Sequence, residues 1–241
     1  MEKSKYDTGI NILGSIPDYV EMINYIISLD TNEHDGVFSF RTTHSTERFK
    51  VAITSYLLQF SCPQHKSVVL HALAEEQLSI QNKLMIIFWQ LTYTNLLFRR
   101  ITEEVFMKAV FMGRNTIDAG EIVSFLHYIK EVDNVGASWS DSTLKTIGSK
   151  YLTLMKKLGL ADGIVKKHIR HPLIGNDLFV WFIRWCQLVY PSDKTLNNPY
   201  IQFGFMDKDT IINRLKKIEN VPYWDIYQIG NDVTIDLKPY E

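Results

Sequence analysis

One stretch constrains the fold most, because both of its ends and one of its faces are defined: WSDSTLKTIGSKYLTLMKKLG, from Trp139 to Gly159. Ser140 is a good N-cap residue, since its side-chain oxygen can accept a hydrogen bond from a free N–H of the first turn. Gly159 can adopt the left-handed conformation that often ends a helix. Apolar residues between them recur at spacings typical of one buried helix face. That face comprises Leu144, Ile147, Tyr151, Leu154, Met155 and Leu158.

The opposite face of this predicted helix is polar and basic. Hydroxyl and lysine side chains near a helix start suit contacts with phosphates and base edges. The next segment, Gly163 to Gly175, is basic in its middle. A helix, a turn and a basic extended segment follow each other in a winged helix-turn-helix, whereas an ordinary helix with a solvated basic face is the alternative. The side chains concerned are Ser142, Lys145, Ser149, Lys156 and Lys157 on the helix, and Lys166, Lys167, His168, Arg170 and His171 after it.

The charge of the chain is concentrated in this same region. The 241 residues carry a formal net charge of −1, so overall charge does not predict a general nucleic-acid binder. Seven Lys and Arg residues against two Asp residues give residues 141–171 a local charge of +5. Binding to an anionic partner would therefore have to use this local patch.

Sequence motifs for catalysis, cofactors and metals are missing. We find no Gly-rich phosphate loop, no dinucleotide fingerprint and no HExxH, CxxC or GxSxG motif. His168 and His171 have ligand-like spacing but lie among cations, which would repel a metal ion. We therefore expect a non-enzyme without a cofactor or a bound metal.

Cysteine usage and hydropathy indicate where the protein resides. Cys62 and Cys186 are far apart, which fits a reducing cytoplasm better than a disulfide framework. The polar N-terminus does not resemble a signal peptide. The longest uncharged apolar run, Leu84 to Phe98, is shorter than the ~20 residues of a membrane span. We expect a soluble cytoplasmic protein that does not bind membranes.

The pattern along the chain predicts a mainly α-helical protein: a helical bundle with winged helix-turn-helix-like units and a small C-terminal β-hairpin. Residues 1–132 form the predicted N-terminal domain, built around an apolar helix from Ser79 to Phe98. The boundary falls at Asp133 to Gly136, and residues 133–241 form a winged-helix-like domain. Its hairpin is predicted at Trp224–Ile229 and Val233–Leu237, around a turn at residues 230–232.

A second helix begins like the first. Within Arg41 to Phe60, the run Ser45-Thr46-Glu47-Arg48 matches Ser142-Thr143-Leu144-Lys145 as S-T-x-basic. Either Thr43 or Ser45 is expected to cap this helix. The match indicates a structural repeat, which is either a repeated functional unit or a consequence of capping alone, since hydroxyl residues are common at helix starts.

These features together resemble the BrxA family, an accessory component of BREX bacteriophage-resistance systems. The resemblance rests on S-T-x-[RK] at an early helix, the apolar central helix near Gln81, and WSDSTLKTIGSKYLTLMKKLGLADG. It covers about residues 40 to 165 and implies a mostly helical, non-enzymatic DNA-binding protein with winged-helix character. It also implies two nucleic-acid faces. These are Thr43, Ser45, Thr46 and Arg48 in the first motif, and Ser142, Lys145 and Thr146 in the second.

Two functional hypotheses follow. In the first, the protein binds double-stranded DNA: Lys145, Lys166, Lys167 and Arg170 contact phosphates, while Ser142, Thr146 and His168 approach bases or sugars. RNA is a less favoured ligand, kept open by a likeness to NusB-type RNA-binding proteins. In the second, the protein is an adaptor that docks other BREX components. This alternative predicts an exposed aromatic patch on a helix spanning residues 176–189, formed by Phe179, Trp181, Phe182 and Trp185.

Overall fold

The computed structural model of the chain is mainly α-helical with a small C-terminal hairpin, as predicted. It describes residues 6–31, 42–132, 139–164, 166–230 and 232–239. The predicted domain boundary at residues 133–136 lies outside the described residues, as do Arg41 and Asn231. The helices are α1 Ile10–Leu13, α2 Tyr19–Thr31, α3 Thr43–Leu57, α4 Pro63–Ala74, α5 Ile80–Thr94, α6 Leu96–Ile101, α7 Lys108–Phe111, α8 Ala119–Val132, α9 Asp141–Lys157, α10 Asn176–Val189 and α11 Lys208–Leu215. The strands are β1 Thr116–Ile117, β2 Ala161–Asp162, β3 Lys167–Ile169, β4 Trp224–Ile229 and β5 Asp232–Leu237.

Contacts divide the chain into two compact units at a different place from the predicted division. The first unit comprises residues 1–60 and 66–172, and the second comprises residues 61–65 and 173–241. Helices α8 and α9, on either side of the predicted boundary, pack against each other within the first unit. A Cβ atom on Gly148 of α9 would lie 3.2 Å from the Ala119 carbonyl oxygen of α8, so the two helices approach closely.

Helix α5 lies at the centre of the first unit. Residues 84–92 are all buried, which confirms the predicted apolar helix. The predicted helix from Ser79 to Phe98 is nevertheless too long, because Asn95 has an extended backbone (φ −120°, ψ 105°). The Asn95 side chain accepts a hydrogen bond from the Phe98 N–H at 2.8 Å, which starts α6 as a new helix.

A π-helical segment, Thr102–Met107, connects α6 to α7. The buried Tyr151 hydroxyl of α9 donates to Thr102 Oγ1 at 3.1 Å, and Thr102 Oγ1 donates to the Phe98 carbonyl at 2.7 Å. The rings of Phe98 and Tyr151 also lie 5.5 Å apart. The buried face of α9 is therefore fixed to this segment by hydrogen bonds as well as by packing.

A three-stranded antiparallel sheet lies beside α9 in the first unit. The strands are arranged β1-β3-β2. Thr116 of β1 is opposite His168 of β3, and Ala161 of β2 is opposite Ile169 of β3. Along the chain the order is β1, α8, α9, β2, β3, so the helix pair is inserted between the first strand and the other two.

The second unit contains the aromatic helix α10 and the hairpin. Phe179, Phe182 and Trp185 are completely buried, and Trp181 is half-buried. Strands β4 and β5 pair in register from Trp224 opposite Leu237 to Ile229 opposite Asp232, which confirms the hairpin. The aromatic side chains of α10 are mainly core, so the exposed aromatic patch predicted by the adaptor hypothesis is not formed there.

Candidate nucleic-acid interface

Helix α9 begins and ends as its sequence predicts. The Ser140 hydroxyl accepts a hydrogen bond from the Thr143 N–H at 3.2 Å, which makes Ser140 the N-cap. At the other end Gly159 has a φ of +76°. The Leu160 N–H donates to the Met155 carbonyl at 2.9 Å, which closes the last turn. All six residues of the predicted apolar face are buried.

The outer face of α9 is polar and basic over its whole length. The Thr146 hydroxyl donates to the Ser142 carbonyl at 2.8 Å, so its oxygen remains available as an acceptor. Within the described residues Lys145 forms no ion pair, and its ammonium is exposed to solvent. The exposed side chains at helical spacing are Ser142, Lys145, Thr146, Ser149 and Lys156. We call these five residues the α9 outer face.

Lys157 does not belong to this face, contrary to the prediction. Its ammonium donates to the Gly14 carbonyl at 3.1 Å and also to the Ile16 carbonyl. Burial lowers the pKa of Lys157, and the nearby Lys150 lowers it further. Lys157 thus caps the C-terminal end of α1 and is not placed to contact an external phosphate.

Side chains in and beside strand β3 alternate between exposed and buried, which divides the predicted basic residues into two groups. Lys166, His168 and Arg170 are exposed, whereas Lys167 and Ile169 are buried. Only 9% of Lys167 is exposed. Its ammonium donates to the Gly163 carbonyl at 2.8 Å and to the Ile164 carbonyl at 2.7 Å. The structure therefore does not place Lys167 for the predicted phosphate contact, because its side chain is buried and its ammonium is engaged with two backbone carbonyls.

Arg170 lies next to an acidic residue, a pairing that the net charge of residues 141–171 does not reveal. Its guanidinium forms an ion pair with Asp162 of β2, and 65% of the Arg170 side chain is exposed. An exposed pair of this kind contributes little to stability, so a phosphate can replace the carboxylate at small cost. His168 lies opposite Asp162 in the register of β2 and β3. The exposed cations of the strand pair are thus Lys166 and Arg170, with Asp162 partly neutralising the second.

The start of α3 resembles the start of α9 but is displaced by one residue from the prediction. Thr42, and neither Thr43 nor Ser45, is the N-cap, because its side chain accepts from the Ser45 N–H at 3.2 Å. Thr43 and Arg48 are exposed, whereas Ser45 and Thr46 are half-buried. The next element along the chain is the helix α4, so no strand pair follows α3.

The short helix α1 lies beside the later turns of both helices: a Cβ atom on Gly9 would meet the Tyr56 ring of α3, and one on Gly14 would meet Lys150 of α9. It packs against both α3 and α9 within the first unit. Nothing in the sequence pattern predicted this helix, since four residues are too few to show a helical periodicity. Ile164 was also missed as a candidate, although it lies between Gly163 and the basic strand and is 90% exposed.

Neither a metal-binding cluster nor a membrane-spanning helix was found among the described residues. No group of three or more His, Cys, Asp or Glu residues in that part of the chain is arranged to hold a metal ion. No helix among the described segments is long and apolar enough to cross a membrane. Cys62 and Cys186 are free thiols, and burial raises the pKa of Cys186.

The fold and this surface define a mainly α-helical protein in which a polar and basic helix face lies beside a small antiparallel sheet. The sequence model of the BrxA family matches residues 29–184. The chain therefore belongs to the BrxA family, which makes it an accessory protein of a BREX phage-resistance system. Comparisons with curated proteins and with solved structures found no match.

Proposed function

We propose that this BrxA-family protein acts without enzymatic activity of its own by binding double-stranded DNA through a winged helix-turn-helix. The observation that carries the proposal is the order β1, α8, α9, β2, β3 with the sheet arranged β1-β3-β2. In this arrangement α9 is the recognition helix, α8 is the helix before it, and Gly163, Ile164 and Lys166 lie at the tip of the wing.

The surface chemistry of the recognition helix supports the proposal. The α9 outer face presents hydroxyls and two lysines, Lys145 and Lys156, with Asp141 as the acidic residue at its start. A helix of this kind can enter the major groove, with its N-terminal residues at the base edges. Ser142 and Thr146 are the side chains that would reach bases or sugars, and Lys145 would contact a phosphate.

The wing contributes a second group of cations. Lys166 and Arg170 are exposed on either side of β3, and the exposed His168 lies between them. The Lys156 ammonium lies 3.4 Å from the Gly163 carbonyl, which places the C-terminal end of α9 next to the wing. Lys145, Lys156, Lys166 and Arg170 are then four phosphate contacts on one continuous substructure.

The start of α3 is proposed as an auxiliary contact with the same DNA. It offers Arg48 and the exposed hydroxyl of Thr43, but it lacks a wing. Both helix starts belong to the same compact unit.

The proposal is tested by fluorescence anisotropy of a labelled DNA duplex at several salt concentrations, with an RNA duplex of the same sequence alongside. Four phosphate contacts predict that log K falls with log [salt] with a slope of about −4, at about −0.9 per contact. Tighter binding to DNA than to RNA is expected, since the deep, narrow major groove of A-form RNA does not admit a recognition helix.

Two results would redirect the proposal. Tighter binding to the RNA duplex would favour the NusB-like alternative. No binding to either duplex at ~100 mM salt, even above ordinary non-specific dissociation constants of about 10⁻⁴–10⁻⁶ M, would favour the adaptor that docks other BREX components.

A further inference from the structure

The tip of the wing exposes a large apolar side chain. Ile164 is 90% exposed and sits between Gly163 and the basic strand β3. A single exposed apolar residue on a protein surface is ordinary. What distinguishes Ile164 is the backbone that carries it, which is held in place by a buried charge.

The Lys167 ammonium fixes this backbone. It donates to the carbonyls of Gly163 and Ile164 at 2.8 and 2.7 Å, although only 9% of Lys167 is exposed. Burying a lysine is costly unless its ammonium is hydrogen-bonded. The buried ammonium of Lys167 therefore holds two consecutive carbonyls, those of Gly163 and Ile164, at the position where the Ile164 side chain is exposed.

Gly163 has a backbone conformation that other residues rarely adopt. Its φ of +94° is unfavourable for any other residue, and a Cβ atom there would lie 2.5 Å from the Lys166 carbonyl oxygen. The backbone of Gly163 and Ile164 is therefore defined both by the glycine conformation and by the Lys167 hydrogen bonds.

The surroundings of Ile164 are cationic. Lys166 and Arg170 are exposed on either side of the following strand, and Lys156 lies on the adjacent end of α9. An apolar tip flanked by cations suits the minor groove, whose floor is formed by base edges and whose walls are formed by phosphates. A narrow minor groove has an enhanced negative potential that attracts inserted basic side chains.

We propose that Ile164 enters the DNA minor groove as an apolar wedge, positioned by Lys167, and that it bends the duplex. The inference rests on the proposed DNA binding and adds a specificity-determining residue to it. Apolar wedges partly unstack a base step and kink the duplex by roughly 20–90°. Pyrimidine–purine steps such as TA open most easily, so the protein should favour a duplex with a central TA step.

The test is a comparison of wild type with Ile164→Ala on a ~30-base-pair duplex carrying a fluorescence donor and acceptor at its ends. Wild type should shorten the end-to-end distance and should bind the TA duplex more tightly than one in which the step is replaced by a GC step. Ile164→Ala should lose the shortening and the TA preference, and its affinity should fall roughly tenfold. Its salt slope should be unchanged, because no phosphate contact is removed.

The matched control is Ile218→Ala in the second unit. Ile218 is the same residue type and is 89% exposed, and it should change neither affinity nor bending. If wild type binds DNA without shortening the duplex, or if Ile164→Ala behaves as wild type, the wedge is overturned and the proposed function stands. If wild type does not bind DNA, both are overturned.

Lys167→Met tests the positioning role. The substitution removes an ammonium that is engaged with two backbone carbonyls and contacts no phosphate, so the salt slope should remain that of wild type while bending and TA preference are lost. If Lys167 only stabilises the fold, Lys167→Met should lower the folded fraction, which circular dichroism measures. The protein that remains folded should then bind and bend DNA as wild type does. Because this variant can fail to fold, Ile164→Ala remains the deciding measurement.

Discussion

The starts of α3 and α9 share a sequence pattern and a cap but differ in what surrounds them. Thr42 and Ser140 each accept a hydrogen bond from the N–H three residues later, at 3.2 Å in both cases. After α9 come two strands, and Lys166, His168 and Arg170 are exposed on or directly beside the second of them, whereas α3 is followed by another helix. The S-T-x-basic pattern therefore indicates a capped helix, and of the two starts only that of α9 is followed by the strand pair on which the proposed winged unit depends.

The largest expected difference between the two starts is in DNA affinity. Lys145→Glu should weaken double-stranded DNA binding about 30-fold, because it replaces a phosphate contact by a repulsion on the recognition helix. Arg48→Glu should weaken binding no more than about threefold, since α3 has no wing beside it. Anisotropy titrations at one salt concentration measure both.

The charge-matched control is Lys208→Glu in the second unit. Lys208 is exposed as the first residue of α11, where a negative charge suits the helix dipole and the fold should tolerate the change. Because Lys208 lies outside the proposed DNA-binding surface, DNA affinity should remain that of wild type. Equal losses for Lys145→Glu and Arg48→Glu would show that the two starts are equivalent sites.

A second difference concerns one tyrosine on each helix. Tyr151 donates from a buried hydroxyl to Thr102, whereas the Tyr56 hydroxyl donates to Asp7 at an exposed position. Tyr151→Phe should reduce the free energy of unfolding by about 1.5 kcal/mol because it leaves a buried group with one partner fewer, and Tyr56→Phe should cost about 0.5 kcal/mol. Urea denaturation at pH 7 measures these values.

The pH dependence of the same variants has a definite sign. Burial raises the pKa of Tyr151, so the folded state keeps this proton while the unfolded state loses it near pH 10. Wild type should therefore lose stability as the pH rises above about 10. Tyr151→Phe should lose less over the same interval, and parallel curves for the two proteins would contradict this account. Burial and Asp7 raise the pKa of Tyr56 to about 12, which predicts the same sign for its variant.

Removal of the two N-caps, Ser140 and Thr42, should have the same effect on stability but different effects on DNA affinity. Ser140→Ala and Thr42→Ala should each cost about 1 kcal/mol of stability, because each leaves a first-turn N–H without its acceptor. Ser140→Ala alone should also lower DNA affinity measurably, since fraying of α9 displaces Ser142 and Lys145. Thermal melts together with anisotropy would separate the two outcomes, and equal affinity losses would again make the two starts equivalent.

The smallest expected effect is a gain. Asp162→Asn removes the carboxylate that pairs with Arg170 and should raise DNA affinity about threefold, since the guanidinium no longer exchanges one anion for another. The same anisotropy assay measures it. An unchanged affinity and salt slope would indicate that Arg170 does not contact DNA.

Local sequence signals predicted the structure of helix α9 well. The cap at Ser140, the turn at Gly159 and the buried face all follow from residue chemistry within one helix. The α3 cap was misassigned because Thr42, Thr43 and Ser45 are all hydroxyl residues, and only the backbone decides which of them precedes the first turn.

The charge of the site was harder to predict because it depends on tertiary contacts. Lys157 and Lys167 read as surface cations in the sequence, yet both are engaged by backbone carbonyls from Gly14, Ile16, Gly163 and Ile164. Arg170 faces Asp162 only because β2 and β3 pair. A count of +5 over residues 141–171 therefore overstates the charge that is available to a ligand.

The most direct test of the central claim is the salt dependence of DNA binding by Lys145→Glu/Lys166→Glu, compared with wild type and with Lys208→Glu/Lys216→Glu as the charge-matched control. If the recognition helix and the wing hold the DNA, removal of two phosphate contacts should reduce the slope from about −4 to about −2. The control should keep the wild-type slope. A slope reduced equally in both double variants, or in neither, would contradict the placement of the DNA on α9 and its wing.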